Sequence, residues 1–500
     1  MKRYPYGKTK MLELIVFVCG AVVMVLEMTG SRILAPFLGT SIVVWTSLIG
    51  VILGSLSAGY WWGGRLADRN PSHRTLAGII LVAGFCIAGI ALSKSFVLDF
   101  VQYRAGSVHL AAVLGTVVLF APSSVLLGMV SPYAVRLKMR ALEESGRTVG
   151  NLYAISTVGS IVGTFLAGFF LIGFFGSTNI IIILSVVLAI TSFLAYAGDR
   201  MVKISALSLF VLLLLGSQSY SGYLAGLDFH DIDTQYNRIL VYNTISMRTG
   251  KPMRVMVTGP EGTQSGMFLD DHTELALRYT QFYPLAAHFN PRMSKVLMLG
   301  GGGYSFPKYA LRFYPRIEMD VVELDPGVTA VARRLFALRD DPRLRIHHED
   351  ARIFLNRASG SYDVILCDTF NSHYSIPFHL STVETVRRLF DLLADDGVVL
   401  VNTLSAIEGD RGRFLRAEVA TIKAVFPQVF LFPVDSSTPP ERWQNVMIVA
   451  LKSPGAPRLT SADPAIAELL RHRWIGPVKE DLPILTDDYA PVDRYVTSFP

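Results

Sequence analysis

Four acidic residues follow predicted strands in the second half of the chain, at the points where those strands end. The segment "YPRIEMDVVELDP" leads to Glu323 and Asp325, "LRIHHED" ends in Asp350, and "YDVILCD" ends in Asp368. Open α/β sheets bind their ligands outside the carboxyl ends of parallel strands. A single acid at such a place could equally cap a helix N-terminus. Because four acids share one predicted sheet, the pattern favours a ligand site.

A glycine-rich turn precedes these acids. In "VLMLGGGGYSFPKYA", residues 296–310, an apolar run ends in four glycines, and Glu323 follows about twenty residues later, as in nucleotide-binding βαβ units. Glycines let the backbone approach a ligand closely, and the acid accepts hydrogen bonds from ribose hydroxyls. The order of strand, glycine turn, helix, strand and acid therefore predicts a Rossmann-like nucleoside site.

The sheet that carries this site occupies only part of the chain. The 500 residues have a mean hydropathy of +0.41, and 51% are hydrophobic while only 17% are charged. This composition is too apolar for one soluble protein, so part of the chain must lie in lipid. We predict a polytopic α-helical membrane domain at residues 1–220, followed by a soluble α/β domain. About seven apolar runs of bilayer-spanning length lie at roughly 11–30, 41–64, 75–93, 108–130, 149–175, 177–197 and 201–217.

The positive net charge of +6 is explained by this membrane half. A sizeable share of the Lys and Arg residues flanks the apolar runs, which indicates membrane topology and argues against a nucleic-acid partner. Three basic segments should be cytoplasmic: the N-terminus, the loop after the second run, and the loop between the fourth and fifth runs. Their basic residues are Lys2, Arg3, Lys8 and Lys10; Arg65, Arg69 and Arg74; and Arg136, Lys138, Arg140 and Arg147.

Few residues inside the membrane half carry chemistry. Glu27 and Arg32 either line a polar path or accept a ligand, or they lie at the membrane interface, where they snorkel or pair with each other. The "GSIVG" stretch from Gly159 to Gly163 suits close helix packing. No His, Cys or carboxylate spacing in the chain matches a metal site, so we expect no metal.

In its soluble half the chain resembles the spermidine synthase family of aminopropyltransferases, whose fold is that of S-adenosylmethionine-dependent methyltransferases. The resemblance covers roughly residues 230 to 450. It is carried by "TQYNRILV", "VLMLGGGG", "VVELDP", "HHEDARIFL" and "YDVILCDTF". The apolar first half together with "GGGGYSFPK", "IPFHLST" and "LTDDYAPVD" resembles the membrane-integrated, transporter-fused branch of that family.

The resemblance implies a small β-rich subdomain at 221–290, before a Rossmann-like adenosyl-binding catalytic domain at 291–500. It also implies decarboxylated S-adenosylmethionine, or S-adenosylmethionine itself, as co-substrate, and a homo-oligomeric assembly. The implied site consists of Gly300 and Gly302 along the nucleoside, Glu323 at the ribose, Asp350 with Ala351 at the adenine, and Asp368 as the base.

The chain departs from the family at three places that would grip a polyamine. Gly303 stands where soluble synthases have an Asp, Asn371 stands in place of a second acid, and Asn237 replaces a Gln. Other polar side chains could supply the missing contacts, although His373 and His379 are more ordinary as loop or packing residues, and Glu274 is a further residue that could face the pocket. The candidate substrate-binding residues are Tyr236, Gln264, Tyr304, Asn371, His373 and Tyr374.

Three functions fit these patterns. The first is a membrane-bound aminopropyltransferase that acts on an amine such as putrescine, with membrane lipid around its helices. The second is a methyltransferase that acts on a lipid-borne or small acceptor. The third is a transporter or sensor in which the adenosyl site regulates the helices.

Two arguments conflict over the side of the membrane on which the soluble domain lies. Seven spans after a cytoplasmic N-terminus would place the domain outside, away from the cytosolic supply of adenosyl donors. We therefore expect an even number of spans in the inner membrane and a cytoplasmic catalytic domain. The number of membrane spans is uncertain at two places. The seventh run, 201–217, could lie at the interface or re-enter the membrane, and the segment "ILAPFLGTSIVVW" could hide an additional crossing.

Overall fold

A computed structural model describes two units of the chain. The first comprises Met1–Leu227 with Ile232–Gln235, and the second comprises Asp228–Asp231 with Tyr236–Pro500. The described residues are 6–139, 145–196, 198, 227–259, 262–369 and 376–496, together with scattered positions from 204 to 226.

The N-terminal unit is helical. Its helices are α1 (Tyr6–Leu38), α2 (Ile42–Arg69), α3 (His73–Arg104), α4 (Val108–Lys138), α5 (Ser145–Leu166) and α6 (Ser177–Ala195). After α5 the chain continues through a π-helical turn, Ala167–Leu171, to Phe174. Within the described residues, six helical segments are long and apolar enough to cross a membrane. They coincide with the first six predicted runs, whereas the seventh run, 201–217, is described only at scattered positions.

Small residues bring α1 and α5 together. A Cβ atom at Gly159 would lie 2.1 Å from the carbonyl oxygen of Phe17, and one at Gly163 would lie 2.4 Å from that of Ala21. Larger side chains would force the two helices apart, so the packing role predicted for this glycine pair is confirmed.

The connection between α1 and α2 is a short turn. Pro36 lies inside α1, Gly39 adopts a φ of +78°, and α2 begins at Ile42. The segment "ILAPFLGTSIVVW" therefore forms the end of α1, this turn and the start of α2. Nearby, the Arg32 guanidinium donates hydrogen bonds to the carbonyl oxygens of Thr234 and Gln235.

A small antiparallel sheet precedes the larger sheet in the chain. Its strands run in the order β1-β2-β3-β4. Leu240 pairs with Val257 between β2 and β3, and Met253 pairs with Phe268 between β3 and β4. The strands are β1 (His230–Asp233), β2 (Arg238–Ile245), β3 (Pro252–Val257) and β4 (Ser265–Phe268).

The larger sheet has seven strands in the order β10-β11-β9-β8-β5-β6-β7. Strands β5 to β9 are parallel, whereas β10 and β11 form an antiparallel edge. The strand order reverses between β5 and β8, which is where doubly wound sheets open their ligand crevice. The strands are β5 (Lys295–Leu299), β6 (Glu318–Val322), β7 (Leu344–His347), β8 (Tyr362–Cys367), β9 (Leu393–Ser405), β10 (Gln428–Pro433) and β11 (Gln444–Leu451).

This is the predicted Rossmann-like fold of spermidine synthases and methyltransferases. Strands such as β5, β8 and β9 are apolar on both faces because helices cover the sheet on both sides. The helices of this unit are α7 (Leu285–Phe289), α8 (Ser305–Phe313), α9 (Pro326–Leu335), α10 (Ala351–Arg357), α11 (Val383–Asp391), α12 (Arg413–Lys423), α13 (Pro464–Arg471) and α14 (Val492–Val496).

Candidate active site

A cavity of about 440 Å³ opens at the carboxyl ends of the parallel strands. The predicted residues that line it include members of the glycine turn and three of the four strand-end acids. They are Gly300, Gly302, Glu323, Asp350, Ala351, Asp368, Gln264 and His379.

The glycine turn owes its composition to close backbone contacts. Gly300 has a φ of +92°, and a Cβ atom there would lie 2.1 Å from the carbonyl oxygen of Asp368. Gly303 is confined in another way, because a Cβ atom would lie 2.9 Å from that of Ser265 and 3.1 Å from the Phe336 ring. The Gly303 N–H donates to the Ser265 hydroxyl over 2.9 Å. An Asp at position 303, as in the soluble synthases, would not fit this packing.

Glu323 binds the backbone of the glycine turn. Its Oε2 accepts hydrogen bonds from the N–H groups of Gly301 at 2.9 Å and Gly302 at 3.2 Å, and its Oε1 accepts one from Asp325 N at 2.9 Å. Burial raises the pKa of this carboxyl, while the three N–H donors act in the opposite direction. Each carboxylate oxygen can accept more than one hydrogen bond, so the group can also bind hydroxyls in the cavity.

Asp325 serves the helix that follows it. Its Oδ1 accepts a hydrogen bond from Gly327 N at 2.8 Å at the start of α9, and its Oδ2 accepts one from Asn237 Nδ2 at 2.9 Å. The helix-cap alternative therefore describes this acid, and Asn237, which also lines the cavity, connects the small sheet to it.

Asp350 combines both roles considered for it. Oδ1 caps α10 by accepting from Arg352 N at 2.8 Å and Ile353 N at 3.2 Å. Oδ2 lies 3.2 Å from Nε2 of His379, and Asp350 and Ala351 both line the cavity. The cap fixes the carboxylate while its second oxygen faces His379 at the cavity wall.

Asp368 is held from two sides. Asn402 Nδ2 donates to its Oδ1 over 2.9 Å, and the Tyr279 hydroxyl donates to its Oδ2 over 3.2 Å. Asn445 in turn donates to Oδ1 of Asn402 over 3.0 Å. Burial raises the pKa of Asp368, and the hydrogen bonds to its charged form oppose that rise. A carboxylate fixed in this way can accept a proton from an amine in the cavity.

Sequence reasoning missed three of these side chains. Asn402 lies near the end of β9, in the segment "GVVLVNT", and the strand-end argument applied to the acids would have found it. Tyr279 lies in a short 3₁₀ helix, Tyr279–Phe282, and no motif identifies it. Asn445 lies on the antiparallel strand β11.

Two predicted substrate-binding residues do not line the cavity. Tyr304 has left-handed backbone angles, with a φ of 53°, and its buried hydroxyl shares a hydrogen bond with Thr329 at 2.7 Å. Tyr236 is exposed and stands outside the cavity lining. The position of Tyr304 has a physical reason, since the left-handed turn after the glycines places its ring against Gly301.

Four residues that the sequence suggested for the pocket remain. Glu274 pairs with Lys251 at 2.6 Å and does not line the cavity. Asn371, His373 and Tyr374 lie outside the described residues. Among the described residues there is no group of three or more His, Cys, Asp or Glu side chains arranged to hold a metal ion.

Comparisons with known proteins agree with this geometry. Residues 281–454 match the family model for the spermine/spermidine synthase domain. The chain is 35% identical over 187 residues to a polyamine aminopropyltransferase from Vibrio vulnificus, covering 37% of this chain and 59% of that enzyme. It is 25% identical over 424 residues to polyamine aminopropyltransferase 1 from Streptomyces coelicolor, covering 79% of this chain and 76% of the relative.

The Streptomyces alignment is longer than the C-terminal unit, so it extends into the helical unit. Among solved structures, a probable spermidine synthase from Corynebacterium glutamicum matches with a TM-score of 0.40 and 19% identity, covering 52% of this chain and 91% of that chain. The C-terminal half of this chain therefore contains a spermine/spermidine synthase domain with polyamine aminopropyltransferases as its relatives, as the resemblance in its sequence predicts.

Proposed function

We propose that the protein is a membrane-bound aminopropyltransferase. It transfers the aminopropyl group of decarboxylated S-adenosylmethionine to an amine such as putrescine. The observation that carries the proposal is Asp368, a cavity-lining carboxylate beside the glycine turn that is fixed by Asn402 and Tyr279.

The donor nucleoside lies along the glycine turn in this proposal. Glu323 accepts hydrogen bonds from the ribose hydroxyls, and Asp350 with Ala351 meets the adenine. This is consistent with the positions of the three residues around one cavity, where Glu323 directly follows β6 and Asp350 and Ala351 lie at the start of the helix after β7. Buried carboxylates give strong hydrogen bonds to neutral donors because they are charged and little solvated.

Asp368 performs the proton step. The amine nitrogen of the acceptor attacks the aminopropyl carbon next to the sulfonium, a C–N bond forms, and the C–S bond breaks. The electron pair of the C–S bond stays on sulfur, so the leaving group is neutral methylthioadenosine. Asp368 takes the proton that the nitrogen loses. Because the sulfonium is already a good leaving group, alignment of the two substrates and an unprotonated amine suffice for catalysis.

Methyl transfer from S-adenosylmethionine is the second candidate. The specific observation in its favour is Gly303, whose surroundings leave no room for the Asp with which soluble synthases hold the aminopropyl chain. The same adenosyl cavity serves either donor, so the fold alone does not separate the two reactions.

The nucleoside that copurifies with the protein separates these candidates. Gentle purification in detergent, acid extraction and mass spectrometry should recover methylthioadenosine or decarboxylated S-adenosylmethionine. Recovery of S-adenosylhomocysteine instead would contradict the proposal and support methyl transfer.

We also propose that the helical unit is embedded in the inner membrane with the catalytic unit on the cytoplasmic side. This proposal is supported by the six long apolar helices and by the basic residues that flank them. A single cysteine at the exposed Asp410, in a background without the native Cys19, Cys86 and Cys367, provides the test. Rapid labelling of intact cells by an impermeant reagent would contradict a cytoplasmic location.

A further inference from the structure

The motif "LTDDYAPVD" near the C-terminus forms a strap against the catalytic fold. We define the C-terminal strap as residues 485–489. Leu485 N donates to the Thr421 hydroxyl over 2.9 Å, and Val383 N donates to the Leu485 carbonyl over 2.8 Å. The Leu485 side chain is buried in one apolar cluster with Ile376. The strap is therefore fixed at its first residue by backbone and packing contacts.

Asp487 provides the charged contact of the strap. Its Oδ2 lies 2.6 Å from Nη2 of Arg352, and its Oδ1 lies 3.2 Å from Nη1 of the same guanidinium. Thr382 donates its hydroxyl to Oδ1 over 2.7 Å, and Asp487 N donates to Glu384 over 3.0 Å. The Arg352 side chain is only 18% exposed, and the Asp487 carboxylate provides an opposite charge through this two-point contact.

Arg352 transmits the contact to the cavity wall. Its Nη1 donates to the carbonyl oxygen of His379 over 2.9 Å, and the Thr385 hydroxyl donates to the same oxygen over 2.6 Å. The imidazole of His379 faces Oδ2 of Asp350, while the backbone N–H of Arg352 binds Oδ1 of that carboxylate. Arg352 thus touches Asp350 through its backbone and His379 through its guanidinium.

We propose that Asp487 is a positioning residue for the nucleoside donor. By holding Arg352, it fixes His379 and Asp350 in the arrangement that the adenine side of the cavity needs. The inference rests on the proposed function, in which this cavity binds an adenosyl donor. It assigns a role in ligand binding to a carboxylate that does not line the cavity.

Two consequences distinguish positioning from a purely structural role. Loss of the Asp487 charge should weaken nucleoside binding and raise the KM for the donor, with a much smaller change in kcat, because Asp368 stays in place. Because coupling between two sites is reciprocal, bound nucleoside should also hold the strap more firmly against the fold.

The test compares Asp487→Asn with Asp488→Asn, a matched control at the exposed neighbouring acid, and with Asp487→Glu, which keeps the charge. Calorimetry of the full-length protein in detergent measures methylthioadenosine affinity. We expect Asp487→Asn to weaken binding about tenfold, the loss typical of one charge-assisted contact. Asp488→Asn should bind as the wild type does, and Asp487→Glu should restore most of the affinity.

Hydrogen exchange on the wild-type protein covers the case in which Asp487→Asn does not fold. Methylthioadenosine should slow amide exchange in residues 485–489 relative to the ligand-free protein. Wild-type protein that binds methylthioadenosine without this protection, or an Asp487→Asn variant that binds with unchanged affinity, would overturn the inference alone. Wild-type protein that does not bind methylthioadenosine would overturn the proposed function as well.

Discussion

Asn402 donates a hydrogen bond from Nδ2 to Oδ1 of Asp368 over 2.9 Å, and this contact joins the ends of two neighbouring parallel strands, β8 and β9. The Tyr279 hydroxyl approaches the other oxygen of the carboxylate. Both donors stabilise the charged form of an acid whose pKa burial raises. The two hydrogen bonds matter for catalysis because Asp368 must be unprotonated before it can accept a proton.

The first prediction concerns the base itself. Asp368→Asn keeps the shape of the side chain and removes its basicity, so kcat should fall by about 10²-fold or more. Binding of methylthioadenosine should change little, because the variant loses a group that acts in the transition state. Steady-state kinetics and calorimetry on the same preparation measure both quantities. A variant that keeps most of its turnover would show that the base lies elsewhere.

The second prediction concerns the amide that holds the base. Asn402→Ala removes a hydrogen bond that lowers the pKa of Asp368, so that pKa should rise further. Since the base works only when unprotonated, the acidic limb of the kcat profile should move to higher pH. At neutral pH, kcat should fall about tenfold, as expected for one lost hydrogen bond to a charged group.

Asn445→Ala provides the matched comparison, because Asn445 binds Asn402 and not Asp368. It should cause the same changes to a smaller extent. An acidic limb that stays in place in Asn402→Ala would argue against this role for the amide.

The sequence predicted the elements of this site better than its contacts. The glycine turn and the acids that follow β6, β7 and β8 were visible because strand ends and backbone approach require particular residue types. Tyr279 was not visible, since it reaches Asp368 across 89 residues from a short helix without a motif. The prediction that Tyr304 binds substrate was wrong because a left-handed backbone angle turns its ring towards Thr329. The sequence does not reveal that angle.

The third prediction concerns the ribose contact. Glu323→Gln loses the charge that strengthens hydrogen bonds to ribose hydroxyls, and it disturbs the contacts with Gly301 and Gly302. Each lost charge-assisted bond contributes roughly 1.5–3 kcal/mol, so affinity for methylthioadenosine should fall by one to two orders of magnitude.

Calorimetry with Glu318→Gln is the control, since Glu318 is an exposed acid at the start of the same strand. Equal affinities in the Glu323 variant and the wild type would remove Glu323 from the site.

The fourth prediction concerns stability rather than catalysis. Glu418 is buried beneath β9, where its Oε2 accepts a hydrogen bond from Thr403, and burial raises its pKa from 4.5 to about 7. The folded protein therefore binds this proton more tightly than the unfolded chain does. The stabilisation of the folded state by this bound proton is complete below pH 4.5 and is lost as pH rises through about 7.

Glu418→Gln keeps the hydrogen bond to Thr403 and removes the proton dependence. Relative to wild type, the variant should gain stability between pH 5 and pH 8, by on the order of 3 kcal/mol at the upper end. Thermal unfolding at both pH values measures this difference, with Glu408→Gln, at an exposed position, as the control. A wild-type protein whose Tm stays level relative to the variant across this range would contradict the prediction.

Aminopropyl transfer in the cavity beside Asp368 can be measured in a single assay. Purified full-length protein is incubated in detergent with putrescine and decarboxylated S-adenosylmethionine, and in parallel with putrescine and S-adenosylmethionine. Both products are then quantified by mass spectrometry. We predict methylthioadenosine and aminopropylated amine in equal amounts from the decarboxylated donor only. Formation of S-adenosylhomocysteine and a methylated product, with no methylthioadenosine from the decarboxylated donor, would show that the protein is a methyltransferase instead.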